Sequence, residues 1–250
     1  MRQFILIILV ISSLSASAQT PMRMLIPKKA SGGSITPPSF SNEYETAWNT
    51  TTSPKTTGTV SVNNGDVIVA FCIAENHQMT ATISNTGTAL TWTQQQVSTT
   101  TNLTYISVWT ATATSTTTFT VSFTRSGSAV NYGGNVLVFS GSSGIGASNK
   151  NTGSSAAPTV SLTTTSANSA VVAANGDWNA LSTSRTWRTV NSITPTSGNG
   201  LEKTYQNVGS NYTVYGAYWN NVGAAGANNY GLSAPSTQNY AIVAVEVKGQ

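Results

Sequence analysis

From Thr59 to Lys248 the chain is a succession of short β-forming runs separated by turn residues, and no run has helical period over a convincing length. The first half offers Thr59–Val62, Val67–Ala74, Met79–Ile83, Leu90–Val97, Leu103–Ala111, Thr118–Phe123 and Gly134–Ser140. Asn64-Gly65-Asp66, Asn85-Thr86-Gly87 and Ser126-Gly127-Ser128 punctuate them, and Asn-Gly is a strong hairpin signal. The second half offers Thr159–Thr163, Ala170–Ala174, Thr186–Val190, Leu201–Gln206, Tyr212–Trp219, Asn229–Leu232 and Tyr240–Lys248. Charged residues make up only 7% of the chain, against about 25% in an average soluble domain. Thr, Ser, Asn and Gly stand in for them, which suits uncharged sheet and tight turns. The expected class is all-β, an antiparallel two-sheet β-sandwich.

The two halves run parallel in sequence. Gly58–Val62 matches Pro158–Leu162, and Val69-Ala70 leading to Glu75 matches Val171–Ala174 leading to Asp177. Thr91–Thr93 matches Thr186–Arg188, Tyr105–Trp109 matches Tyr215–Trp219, and Val136–Gly141 matches Ala244–Gly249. The expectation is an internal pseudo-repeat within a domain over residues 58–249, with halves at about 58–141 and 158–249. Two tandem smaller sandwiches are the alternative. Trp92, Trp109, Trp187 and Trp219 recur inside strands and are expected as core anchors.

The order GDVIVAF, ALTWT, a Trp-ended strand, FTVSF, NVLVFSG, a Gly/Ser bridge and a closing YAIVAVEVKG resembles a duplicated, jelly-roll-like β-sandwich module of secreted bacterial and phage surface proteins. The resemblance covers about residues 58–249 and implies an extracellular sandwich. It carries no catalytic residues to named positions.

The N-terminus reads as an export signal: Arg2, an apolar run from Phe4 to Ile11, and Ala16-Ser17-Ala18, with cleavage expected after Ala18. The expectation is therefore a secreted chain with no membrane insertion after cleavage, since the apolar run is too short to span a bilayer. Residues 19–57 carry Pro21, Pro27, Pro37, Pro38, Pro54 and Gly32-Gly33 and are expected as an extended arm or linker, available for self-association. Cys72 is the single cysteine, so no intrachain disulfide forms; it lies in an apolar run and is expected as a small buried hydrophobe. The formal charge of +4 comes from scattered cations, with no stripe of the kind that neutralises several phosphates, so nucleic acid is not an expected partner.

Chemistry has few residues to work with. The acids are Glu43, Glu45, Asp66, Glu75, Asp177, Glu202 and Glu246, and His77 is the lone histidine. Asp66 is explained by its turn, and Glu246, alternating with Val245 and Val247, is expected to face solvent. Gly141-Ser142-Ser143-Gly144-Ile145 fails as a nucleophile elbow at its last position. Glu75-Asn76-His77 and Asp177-Trp178-Asn179 follow equivalent runs and are expected on one rim of the sandwich. There, Glu75 and Asp177 could hold Ca²⁺ or bond sugar hydroxyls, with Trp178 as a stacking platform. Asn220 is expected in a loop at one end, and Tyr230 as an exposed aromatic. The alternating Thr110, Thr112, Thr114, Thr116, Thr118 and Thr120 are expected as a solvent face split by a turn at Ser115 to Thr117.

These readings favour a secreted, non-catalytic binding or adhesion module for carbohydrate or another cell-surface ligand. A structural subunit of a filament or virion-like assembly, adding a strand through residues 19–57, is the alternative. A glycan hydrolase using Glu75 and Asp177 ranks last.

Overall fold

The structure, a computed structural model, describes residues 34–48, 50–100, 104–178, 185–197, 203–207 and 210–250. The signal segment 1–18, the arm residues 19–33, Asn179 and Glu202 lie outside the described residues. Every regular element among the described residues is a β-strand. In chain order these are β1 Ser39–Glu45, β2 Lys55–Thr56, β3 Val60–Val62, β4 Val67–Ala74, β5 Met79–Asn85, β6 Thr93–Thr100, β7 Thr104–Thr112, β8 Thr117–Phe119, β9 Val121–Gly127 and β10 Tyr132–Ser140. They continue as β11 Gly144–Ala156, β12 Thr159–Thr163, β13 Ala170–Trp178, β14 Thr186–Trp187, β15 Thr196–Ser197, β16 Lys203–Asn207, β17 Ser210–Trp219, β18 Ala227–Ala234 and β19 Gln238–Lys248. All pairings are antiparallel.

The first half builds a large sheet in the order β1-β10-β4-β7-β6, and the second builds β11-β19-β13-β17, with β15 and β16 both pairing β17. In each half the first strand thus pairs the last, which pairs the strand opening the interior. Smaller sheets accompany them: β2-β9-β5 and β3-β8 in the first half, β12-β18-β14 in the second.

Side-chain alternation explains the stacking. Every residue of β4, VIVAFCIA, is buried, so both of its faces are covered. Val67, Val69, Phe71 and Ile73 join Val172, Ala174, Val214, Val243 and Val245 of the second half in one core. Their alternates Ile68, Ala70 and Cys72 pack with Val60, Met79, Phe119, Val121 and Phe123. In the second half Val171, Ala173, Trp219 and Ile242 pack with Val160, Leu162 and Tyr230. The order of layers is therefore small sheet, large sheet, large sheet, small sheet. The antiparallel sandwich class is what the sequence led us to expect, but two sheets become four layers. A strand apolar on both faces needs a partner layer on each side, and a two-layer sandwich supplies only one.

Three further expectations change. β1 and β2 fall within the stretch expected as an arm, yet β1 pairs β10 from Ser39↔Ser140 to Glu45↔Asn135. Just before β1, Thr36 and Gln250 exchange backbone hydrogen bonds of 2.6 and 3.0 Å. Residues 35–45 thus run from the second half into the first-half sheet. The Gly/Ser bridge is the thirteen-residue edge strand β11, GIGASNKNTGSSA, paired with β19 and invisible to apolar alternation. The indoles of Trp109 and Trp219 are both buried on outer core faces, but Trp109 lies opposite Ala70 and Trp219 opposite Val171, two positions apart along their strands. The Thr alternation is split as expected, β7 ending at Thr112 and β8 starting at Thr117.

Close packing demands small residues at two adjacent places in β10. A Cβ on Gly133 would stand 2.3 Å from the Trp48 ring, and one on Gly134 2.2 Å from the Phe123 ring. Successive strand residues point to opposite faces, so one Gly-Gly pair admits one aromatic ring from each core.

Candidate functional site

The strand ends carrying Glu75 and Asp177 do lie at the same end of the molecule. Tyr212 sits opposite Trp178 in β17, and its hydroxyl donates 2.7 Å to the carbonyl oxygen of Ala74, the residue before Glu75. The two carboxylates, however, hold different partners. Glu75 is buried and accepts from the Asn131 N–H at 2.8 Å and the Asn131 amide at 3.3 Å. Asn76 closes its own turn, accepting the Gln78 N–H at 2.8 Å, and His77 beside it is half-buried.

Asp177 is not a loop residue. It lies within β13, fully buried, and accepts 2.5 Å from the Tyr215 hydroxyl and 3.3 Å from the Asn175 amide. The guanidinium of Arg185 lies 4.4 Å from the centre of the Tyr215 ring. Burial, then the Asp177 charge, hold the Tyr215 phenol well above its usual range. A buried carboxylate must be hydrogen-bonded to persist, and this cluster does that. Sequence reasoning missed it because Tyr215 sits in an apolar strand and Arg185 looks like a stray cation.

The remaining candidates do not gather on that rim. Trp178 is half-buried, 6.0 Å from the Tyr212 ring, and packs against the central core. Asn220 is exposed but follows Trp219, which pairs Val171, so it stands at the opposite end of the sheet. Tyr230 is a correction: it is fully buried, 5.1 Å from Trp219, because it faces inward from β18. Burial, then the Glu246 charge, push its phenol up to about 12.

Glu246 is a second correction. It is fully buried, and it accepts from the N–H groups of Ala147, Thr165 and Ser166 and the hydroxyls of Thr165 and Ser169, at 2.7 to 3.0 Å. Burial alone would raise its pKa; these donors outweigh that and hold it below the usual carboxylate value. It is a staple for the 164–169 loop. Cys72 is buried as expected, with its thiol pushed well up by desolvation. Among the described residues, no three His, Cys, Asp or Glu side chains gather as a group that could hold a metal ion.

A surface groove lies elsewhere. On the outer sheet of the second half, Trp187, Arg188, Thr189, Val190, Asn191, Asn228, Asn229 and Ser233 line an open groove of about 440 Å³. Two local irregularities shape it. Register jumps from Thr186↔Ala234 to Trp187↔Leu232, leaving Ser233 as a bulge in β18. Val190 and Ile193 then bridge across a two-residue turn whose central residues, Asn191 and Ser192, have φ of 48° and 66°. Positive φ at both central positions is the geometry of a tight hairpin turn, and the Asn191 amide secures it by donating to the Val222 carbonyl.

The groove walls are well supported from behind. Trp187 is half-buried, its ring edge-on to Tyr215 at 5.8 Å and to Trp219 at 6.2 Å. The Arg188 backbone is pinned on both sides, its N–H to Gly231 at 2.9 Å and its carbonyl by the Trp219 indole at 3.0 Å. Chemically the groove combines an aromatic surface, a guanidinium, three amides and hydroxyls. On the outer sheet β2-β9-β5 of the first half the exposed residues are Thr56, Thr80, Thr82, Ser84, Thr124, Ser126 and Gly127, with the Thr80 and Ser126 hydroxyls bonded at 2.6 Å. Sequence reasoning placed Trp187 among the core anchors and so overlooked the groove. The one available signal was the Trp-Arg pair beside Asn-rich turns. Comparison with known protein families, with curated proteins and with solved structures finds no match to this chain.

Proposed function

We propose that the chain is an exported, non-catalytic binding or adhesion module, and that it takes carbohydrate in the groove at Trp187, Arg188, Asn228, Asn229 and Ser233. The carrying observation is that groove: a half-buried indole beside amides and hydroxyls, shaped by a bulge and a tight turn. Sugars present apolar ring faces and rims of hydroxyls, and indole plus amide chemistry complements both. The volume lies within the roughly 300–1,000 Å³ range of ligand pockets, while its openness to solvent suits an extended chain. The buried acids support the non-catalytic reading, because Glu75, Asp177 and Glu246 each hold structural partners. Export rests on the signal-like segment at residues 1–18.

The test is a panel of immobilised polysaccharides probed with the native chain and with Trp187→Ala. Binding to one or more polymers, lost in the variant, is expected. Retention of binding in Trp187→Ala would move the site elsewhere, and no binding to any polymer would remove the reading.

A further inference from the structure

Resting on the groove reading above, we infer that Arg188 makes this site selective for acidic sugars, and that its ligand is a glycan bearing uronic-acid carboxylates. Arg188 Nε is committed to the Thr159 hydroxyl at 3.3 Å, and its backbone is fixed at both the N–H and the carbonyl. The Nε bond and the pinned backbone thus hold in place the side chain of a residue that lines the groove. Among the described residues no carboxylate bonds it: Asp177 takes Tyr215, Glu246 takes the 164–169 loop and Glu75 takes Asn131. A half-buried cation with no carboxylate bonded to it among the described residues, in a chain with only 7% charged residues, is a feature that a bound anion would complete.

The contrast with Arg185, three residues earlier, is direct. Arg185 lies over the Tyr215 ring, whose hydroxyl bonds Asp177. Arg188 lines the groove together with Asn191, Asn228 and Asn229. A guanidinium presents two parallel N–H donors that match a carboxylate, whereas a neutral sugar hydroxyl uses only one. The neighbouring Asn228 and Asn229 would serve the ring hydroxyls, and Trp187 the ring face.

The experiment uses matched polymers that differ only in charge: polygalacturonate against its full methyl ester, and alginate against its carboxyl-reduced form. The full-length chain, Arg188→Gln and Arg188→Lys are compared. The native chain should prefer at least one acidic polymer over its neutral partner by about tenfold or more, the scale of one charge-assisted hydrogen-bond pair, and the preference should shrink as salt is added. Arg188→Gln should bind both members of the pair alike, which also shows that it is folded. Arg188→Lys should keep part of the preference. Equal binding of both members by the native chain, or a preference that survives in Arg188→Gln, overturns the selectivity while leaving the groove in place. Failure to bind any polymer, acidic or neutral, overturns the groove reading itself.

Discussion

The phenol of Tyr212 reaches out of the second-half sheet and donates to the Ala74 carbonyl of the first at 2.7 Å; the Thr104 hydroxyl donates to the same carbonyl at 2.9 Å and lies 2.5 Å from the phenol oxygen. All three residues are fully buried. This contact fastens the two large sheets at the end where the Glu75 and Asp177 strands finish, and burial, then the charges of Asp177 and Glu75, hold the phenol well above its usual range. Tyr212→Phe removes one of the two hydroxyls that donate to the buried Ala74 carbonyl and leaves Thr104 as the other, a loss of about 0.5–1.5 kcal/mol. Urea unfolding should show a lower midpoint with an unchanged slope and one transition, because the shared core ties both halves into one cooperative unit.

The Glu246 staple makes stability depend on acidity in a defined direction. Its folded pKa lies below the unfolded value, so its contribution is complete above the ordinary carboxylate range and is lost as pH falls through the folded value. Thermal melts from neutral pH downward should show the native midpoint falling, with a weaker fall in Glu246→Gln. At neutral pH that variant should be less stable by about 1–3 kcal/mol or more, since five donors lose their anion.

Gly134→Ala should destabilise through overpacking. The new methyl group would fall 2.2 Å from the Phe123 ring, well inside contact distance, at a cost of about 1–3 kcal/mol. Gly58→Ala is the control: a Cβ there meets nothing within 4 Å, and its midpoint should change by less than the core variant's. Denaturation midpoints of the pair check this.

Cys72 should be inert in the native chain. Its thiol is fully buried in the core of the first half, and desolvation disfavours the thiolate. A thiol reagent should label it only as the chain unfolds, at a rate that tracks the unfolded population. Rapid labelling without denaturant would place the residue elsewhere.

Much of this architecture can be read from residues whose two faces agree. Val67–Ala74 and Thr159–Thr163 have the same bounds in sequence and structure, since turn residues flank them tightly. What escapes reading is anything set by a neighbour rather than by local pattern. β11 has no apolar alternation and is a strand because β19 pairs it. Glu246 reads as solvent-facing from its alternation with valines, yet the 164–169 loop folds over it. Asp177 reads as a strand-end acid, and only the tertiary fold supplies Tyr215. The groove depends on a register jump at Ser233 and a turn at Asn191-Ser192, neither of which has a periodic signal.

The most direct test of where ligand binds is an amide and indole NMR spectrum of the full chain, titrated first with a neutral xylo-oligosaccharide and then with an oligogalacturonide. One or both should shift the Trp187 indole and the Asn228 and Asn229 side-chain amides, while the Trp109 indole in the first half stays still. Shifts confined to Trp178 and the Glu75–His77 turn, or no shifts with either sugar, would contradict binding in the groove.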